Sequence, residues 1–201
     1  MNTRRDFIKK TAIGAAGITL GGLSAKSYGR VLGANDRINF GVAGINSRGI
    51  ALMHAINNAK NTSIGAVCDV DRRIIEKSVK RGQDLTGVKP KSYEDVREML
   101  EQKDIDAIAI ATPDHWHAPM TIMGVQAGKH VYVEKPCSHN PREGELLVEA
   151  EKKYDKVIQM GNQQRSAPTS IQAIKDIREG IIGDVYMGKA WYANKREPIG
   201  K

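Results

Sequence analysis

Cysteine is nearly absent from this chain: Cys68 and Cys137 are the only two in 201 residues. Two cysteines exclude a disulfide-dense scaffold, and with no Cys/His ligand spacing around them they argue against structural zinc and any other metal site. The sequence leaves a bridge between them open, although two unrelated thiols are the plainer reading. Aromatic residues make up 5% of the chain, and no apolar run reaches the roughly 20 residues that a stable membrane span needs. Internal repeats and low-complexity tracts are missing too, which excludes a solenoid. Charge of one sign is scarcer than the net +8 implies. Residues 1–30 hold six basic side chains and one acid, leaving 25 basic against 22 acidic residues, or +3, from there on. That remainder is spread along the chain, so the clustered basic footprint of a nucleic-acid binder is lacking.

What is present is an ordinary globular composition, 40% apolar and 27% charged. It is preceded by a segment that reads as an address. Thr3-Arg4-Arg5-Asp6-Phe7-Ile8-Lys9 is a twin-arginine start. It leads into the weakly apolar run Ala12 to Ala25, which holds four glycines, and a small-residue region near Ala25-Lys26-Ser27 where a peptidase can cut. The expectation is a twin-arginine export signal over 1–30, an encounter with that export machinery, and a periplasmic or otherwise exported protein; the alternative is an uncleaved anchor. This route carries folded proteins, which suits one that acquires a cytoplasmic cofactor before leaving.

From Arg37 onward, short β-branched runs alternate with segments of helical period, the pattern of a parallel sheet covered by helices on both faces. Strands are expected at Ile38–Ala43, Ser63–Cys68, Ala107–Ala111, His130–Val133 and Val157–Met160. Helices are expected at Ser47–Asn58, Arg72–Arg81, Tyr93–Glu101, Met120–Ala127 and Arg142–Tyr154. The fold class is α/β, a doubly wound Rossmann sheet over 36–161. After Gly161 come a polar stretch, a helix near Thr169–Arg178 and an alternating run from Asp184 to Ala193. About 40 residues are too few for a second core, so 162–201 reads as the beginning of a second α+β domain that is incomplete.

Three places carry chemistry. The first is Gly44-Ile45-Asn46-Ser47-Arg48-Gly49, directly after the first strand, where glycines let backbone approach a pyrophosphate at a helix N-terminus. Asn46 replaces the middle glycine; asparagine tolerates a left-handed backbone better than most residues, yet its side chain takes space beside the phosphates. Alone, the motif also fits an ordinary strand-to-helix turn. The second is Asp69, twenty residues beyond Gly49 at the end of the next strand. A carboxylate there accepts hydrogen bonds from ribose hydroxyls and repels a 2′-phosphate, favouring NAD over NADP. Arg72 and Arg73 complicate that preference, or are simply a solvated helical turn.

The third is the pair Ala111-Thr112-Pro113-Asp114-His115-Trp116-His117 and Val131-Tyr132-Val133-Glu134-Lys135-Pro136, both at carboxyl ends of parallel strands, where open α/β sheets bind ligands. With Ala127-Gly128-Lys129-His130-Val131, these residues resemble the Gfo/Idh/MocA oxidoreductases over about 37–195. The resemblance implies that Lys135 is catalytic, lying beside the nicotinamide and the reacting carbinol of the substrate. Glu134 would contact the nicotinamide ribose, and Thr112, Pro113 and His117 would line the cofactor channel. The Lys135-Pro136 peptide would be cis. His115, His54, His130 and His139 are treated as structural or exposed, and Trp116 either packs on the cofactor or fills the sheet-helix interface. Asn162 is taken for the cofactor and Gln163 and Arg165 for substrate, with a polar linker as the alternative.

The family's second domain typically adds an Asp and a His base, but no histidine follows Arg165 here. The expected function is an exported NAD(P)-dependent oxidoreductase acting on a sugar, polyol or glycoside hydroxyl, homo-oligomeric when full-length. The alternatives are redox-assisted glycoside cleavage with NAD recycled at one site, or a silent nucleotide-binding module.

Overall fold

The computed structural model describes residues 37–193. The export signal expected over 1–30 lies outside the described residues.

Six strands form one sheet in the order β3-β2-β1-β4-β5-β6: β1 Ile38–Ala43, β2 Thr62–Cys68, β3 Lys91–Tyr93, β4 Ala107–Ile110, β5 His130–Glu134 and β6 Ile158–Gly161. The pairings β1 with β2, β1 with β4, β2 with β3 and β4 with β5 are parallel. Successive side chains along a strand point to opposite faces, and the two cores follow that alternation. Val42, Val67 and Ala109 pack on one face with Leu52, Met53 and Ile56 of α1 (Ser47–Asn58) and Ile75 of α2 (Arg72–Thr86). Their neighbours Ala43, Cys68, Ile108 and Ile110 pack on the other face. There they meet α3 (Val96–Leu100), α4 (His117–Gln126) and α5 (Pro141–Tyr154) through Met99, Met120, Val125 and Ala150. The sheet is thus doubly wound, and its order reverses between β1 and β4.

Local signals start and stop these helices. Asp71 caps α2 by accepting from Arg73 N at 2.9 Å, and α2 ends at Gly87, whose φ of +70° suits glycine. Asn140 caps α5 reciprocally: its Oδ1 accepts from Glu143 N at 3.0 Å while Glu143 Oε2 accepts from His139 N at 2.7 Å. Buried Lys129 donates from Nζ to the carbonyls of Gln102 and Ile105, at 2.7 and 2.8 Å, closing the turn after α3. Burial pushes its ammonium below the usual lysine range.

Two expectations are corrected. The helix expected at Tyr93–Glu101 is split: Lys91–Tyr93 pairs with Ala66–Cys68 as a sixth strand, and Asp95, accepting from Arg97 N at 2.9 Å, starts the helix only at Val96. Three residues are too few to show alternation, so the strand is invisible to periodicity. Asp184–Ala193 forms no strand. An alternating run becomes a strand only when a neighbouring strand takes its backbone hydrogen bonds in a ladder, and none of the six described strands pairs with it.

The chain divides into two units, one ending at Met160 and one beginning at Gly161. Among the described residues of the second unit are a 3-10 turn at Gln163–Ser166 and α6, Pro168–Arg178. Among the described residues no helix is long and apolar enough to cross a membrane.

Candidate active site

The carboxyl ends of β1, β2 and β4 open onto a cleft of about 560 Å³ whose walls include Gly44, Asp69, Thr112, Pro113, His115 and Trp116. At Gly44 the loop runs close against the exit of β4. The glycine φ is +77°, its N–H donates to Cys68 O at 3.0 Å, and a Cβ there would lie 2.6 Å from the Ala111 carbonyl and Thr112 N. No other residue fits, because both the backbone conformation and the space exclude a side chain. Gly49 is equally constrained, since a Cβ would overlap the Gly44 carbonyl oxygen, so α1 sits directly on the loop. Asn46, by contrast, has φ −77° and is exposed. The middle position therefore needs no left-handed backbone, which is why asparagine is accommodated where the motif usually has glycine. Asn46 makes no side-chain cap and the first turn of α1 holds no acid, so the amides around exposed Ser47 keep their partial positive charge.

Asp69 is half-buried and braces the loop: Oδ2 accepts from Ile45 N at 3.0 Å and Oδ1 from Asp71 N at 3.1 Å. The two arginines beside it are each engaged by a carboxylate, Arg72 Nε with Glu94 Oε1 at 2.7 Å and Arg73 Nη2 with Asp71 Oδ2 at 2.8 Å. The Arg73 hydrogen bond holds the Asp71 carboxyl below its usual range. The Cys68 thiol, also on the cleft, is pushed up to about 12 by burial, reinforced by the charges of Asp69, Asp95 and Glu98.

Thr112 and Pro113 also lie on the cleft wall, and the Thr112 hydroxyl is buried without a hydrogen-bond partner. His115 and Trp116 form the neighbouring wall, exposed rather than filling the sheet-helix interface. His117 differs from its expected place along the cofactor channel. Its ring is buried, with Nδ1 2.6 Å from Pro136 O and Nε2 2.9 Å from Thr112 O, so both nitrogens face backbone.

At the end of β5, Glu134 is 4% exposed and Oε1 accepts from Arg48 Nε at 2.7 Å. Arg48 and Glu134, both expected as cofactor contacts, are thus bound to each other, joining the first turn of α1 to the exit of β5. Burial, then the Glu134 charge, raises the neighbouring Tyr132 phenol above its usual range. Lys135 follows, exposed, joined to Pro136 by a cis peptide bond. In the second unit, Asn162, Gln163 and Arg165 are exposed, and Arg165 N donates to Asn162 O at 3.0 Å. Periodicity missed the wall built by Val96 and Arg97, because that wall depends on β3; Asp95 as a helix-capping residue was the available signal. Among the described residues no group of three His, Cys, Asp or Glu side chains is placed to hold a metal.

A parallel sheet of this order, with a glycine loop and an acid flanking its switch point, defines a dinucleotide-binding protein of the Rossmann class. The chain belongs to the Gfo/Idh/MocA oxidoreductases: the family described as "Oxidoreductase family, NAD-binding Rossmann fold" matches residues 38–162. A glycosyl hydrolase family 109 protein from Shewanella pealeana is 26% identical over 96% of this chain and 46% of its own length. The chain thus spans about half the length of the curated relatives it matches. The WlbA dehydrogenase of Chromobacterium violaceum, crystallised with NADH and UDP-GlcNAcA, superimposes with a TM-score of 0.64 at 26% identity, over 71% of this chain and 40% of that one. The scyllo-inositol dehydrogenase of Lactobacillus casei, solved with NAD(H) and scyllo-inositol, shares the fold with a TM-score of 0.65 at 24% identity, over 74% and 43%. The residues here fit NAD: the α1 amides are uncapped by side chains, and the Thr112 hydroxyl on the cleft wall lacks a partner.

Proposed function

We propose that this chain is the cofactor-binding portion of an NAD-dependent oxidoreductase that oxidises a secondary hydroxyl of a sugar, polyol or glycoside. The observation that carries the reading is the cleft itself, where the glycine loop, Asp69 and the partnerless Thr112 hydroxyl meet along the carboxyl ends of β1, β2 and β4. The Gly44–Gly49 loop and the first turn of α1 hold the pyrophosphate, and Asp69 takes the adenosine ribose. Asp69, Glu94 and Asp95 line that end with carboxylates, and Arg72 and Arg73 are already paired, so a 2′-phosphate is repelled and NAD is preferred over NADP. Bound NAD supplies the hydride acceptor. Lys135 orients the carbinol oxygen and relays its proton toward solvent as hydride leaves, and Gln163 and Arg165 carry amide and guanidinium donors suited to hydroxyls. Incubating the protein with NAD and a panel of polyols, sugars and glycosides, while following NADH absorbance, tests this. Stoichiometric keto-product supports it, and unchanged turnover in Lys135→Ala refutes the role of the lysine.

The name of the glycosyl hydrolase relatives favours a second reading, in which transient oxidation acidifies the adjacent C–H and permits elimination of the glycoside. Net release of the aglycone without accumulation of NADH or keto-sugar distinguishes it. Export by the twin-arginine route is part of the proposal. An Arg4→Lys/Arg5→Lys protein retained in the cytoplasm supports it, and unchanged export sinks it.

A further inference from the structure

The geometry points to His117 as a positioning residue that extends the sheet ladder by side chain, tying the exit of β4 to the exit of β5. The β4–β5 pairing runs to Ile110 opposite Val133. Past that point the two strands diverge into the segments that carry Thr112 on one side and Lys135-Pro136 on the other, where no ladder bond joins them. His117, the first residue of α4, stands between them with its ring 2% exposed. Nε2 faces Thr112 O, five residues back, and Nδ1 faces Pro136 O, nineteen residues on. Carbonyl oxygens only accept, so both contacts are hydrogen bonds only when both ring nitrogens carry hydrogen, whereas a ring with a single N–H donates to one carbonyl and merely abuts the other. The imidazole is long enough to reach both exits at once, and its rigid plane fixes the distance between them.

The consequence is a division of labour along Thr112–His117. His115 and Trp116 form the cleft wall, whereas His117 sets the spacing of two segments without lending a polar atom to the cleft. Holding the Thr112 carbonyl orients the residue whose hydroxyl lacks a partner, and holding the Pro136 carbonyl fixes the residue after Lys135. The inference rests on the proposed NAD site for its consequence, but not for its geometry.

The two contacts can be separated by isosteric logic. His117→Gln places an amide N–H near the Nε2 position and keeps the Thr112 tie, His117→Asn places one near the Nδ1 position and keeps the Pro136 tie, and His117→Phe keeps neither. Hydrogen exchange of peptides covering 111–116 and 134–140, with urea unfolding of the same proteins, reads the result without cofactor. The glutamine variant should exchange about tenfold faster only in 134–140 and the asparagine variant only in 111–116, as expected for one lost hydrogen bond. NADH titration adds the functional arm: affinity should fall about tenfold in His117→Asn and stay near wild type in His117→Gln. Indistinguishable glutamine and asparagine variants, or exchange rising everywhere in step with global stability, would overturn the inference. If the phenylalanine variant does not fold, the other two still decide. A wild-type protein that binds no NADH would refute the NAD site, leaving the exchange pattern to judge the tie.

Discussion

Replacing Arg48 with methionine keeps most of the aliphatic stem but removes the only cation bound to Glu134 among the described ion pairs. The carboxylate side chain is 5% exposed and that of Arg48 39%, so water reaches one partner and not the other. Stranding one member of a fully buried pair costs about 3–5 kcal/mol, and the partial access to Arg48 lowers the expectation to about 2–3 kcal/mol. Glu134→Gln leaves the unpaired charge on Arg48, which water reaches, and loses only the charge-assisted part of one hydrogen bond, about 1 kcal/mol. The double variant should therefore be more stable than Arg48→Met alone, a sign reversal that simple loss of contacts does not produce. Urea unfolding at pH 7, followed by far-ultraviolet circular dichroism on all four proteins, measures it. An Arg48→Met protein within about 0.5 kcal/mol of wild type would mean the pair behaves like an exposed surface bridge, and the link from α1 to β5 would carry no energy.

The two thiols should separate under alkylation. Cys68, buried and pushed up to about 12, should stay unlabelled by iodoacetamide in the native protein while half-buried Cys137 reacts, and native labelling of Cys68 at the rate of Cys137 would contradict the packing at the cleft. The Asp95 carboxyl is held at about 2 by its hydrogen bonds with Arg97, against an ordinary 3.8. A folded value below the unfolded one contributes stability above the unfolded value, lost as pH falls toward 2. Asp95→Asn, which still caps α3, should flatten that part of the acid limb, and an unchanged acid denaturation curve would count against it. Lys129→Met should cost about 1–3 kcal/mol in thermal or urea unfolding by leaving the Gln102 and Ile105 carbonyls without their donor, and a neutral effect would show that water replaces it.

The sequence exposed the fold wherever a segment was long enough to show a period. β1 and α1 begin and end where β-branched residues and the glycine loop place them, and each later helix core was visible. β3 was not, because three residues give no period and only pairing with β2 makes them a strand. At the site, Gly44 and Gly49 were legible from their spacing after β1, although the Cβ clash at Gly44 is with Ala111 and Thr112, far away in sequence. At Asn46 the tolerance of asparagine for a left-handed backbone is not called on, because its φ of −77° is set by how α1 enters the loop. Motif position gave the places of Arg48, Glu134 and His117 but not their partners. Arg48 and Glu134 are 86 residues apart and the two His117 carbonyls lie on different strand exits, so only tertiary structure shows that these side chains serve one another.

Isothermal titration of the folded chain with NAD and with NADP tests the central claim most directly. The account predicts one NAD per chain, NADP weaker by at least about tenfold because of the carboxylates around Asp69, and a loss of that preference in Asp69→Asn. Absence of NAD binding by a folded chain, or equal binding of NADP, would contradict it.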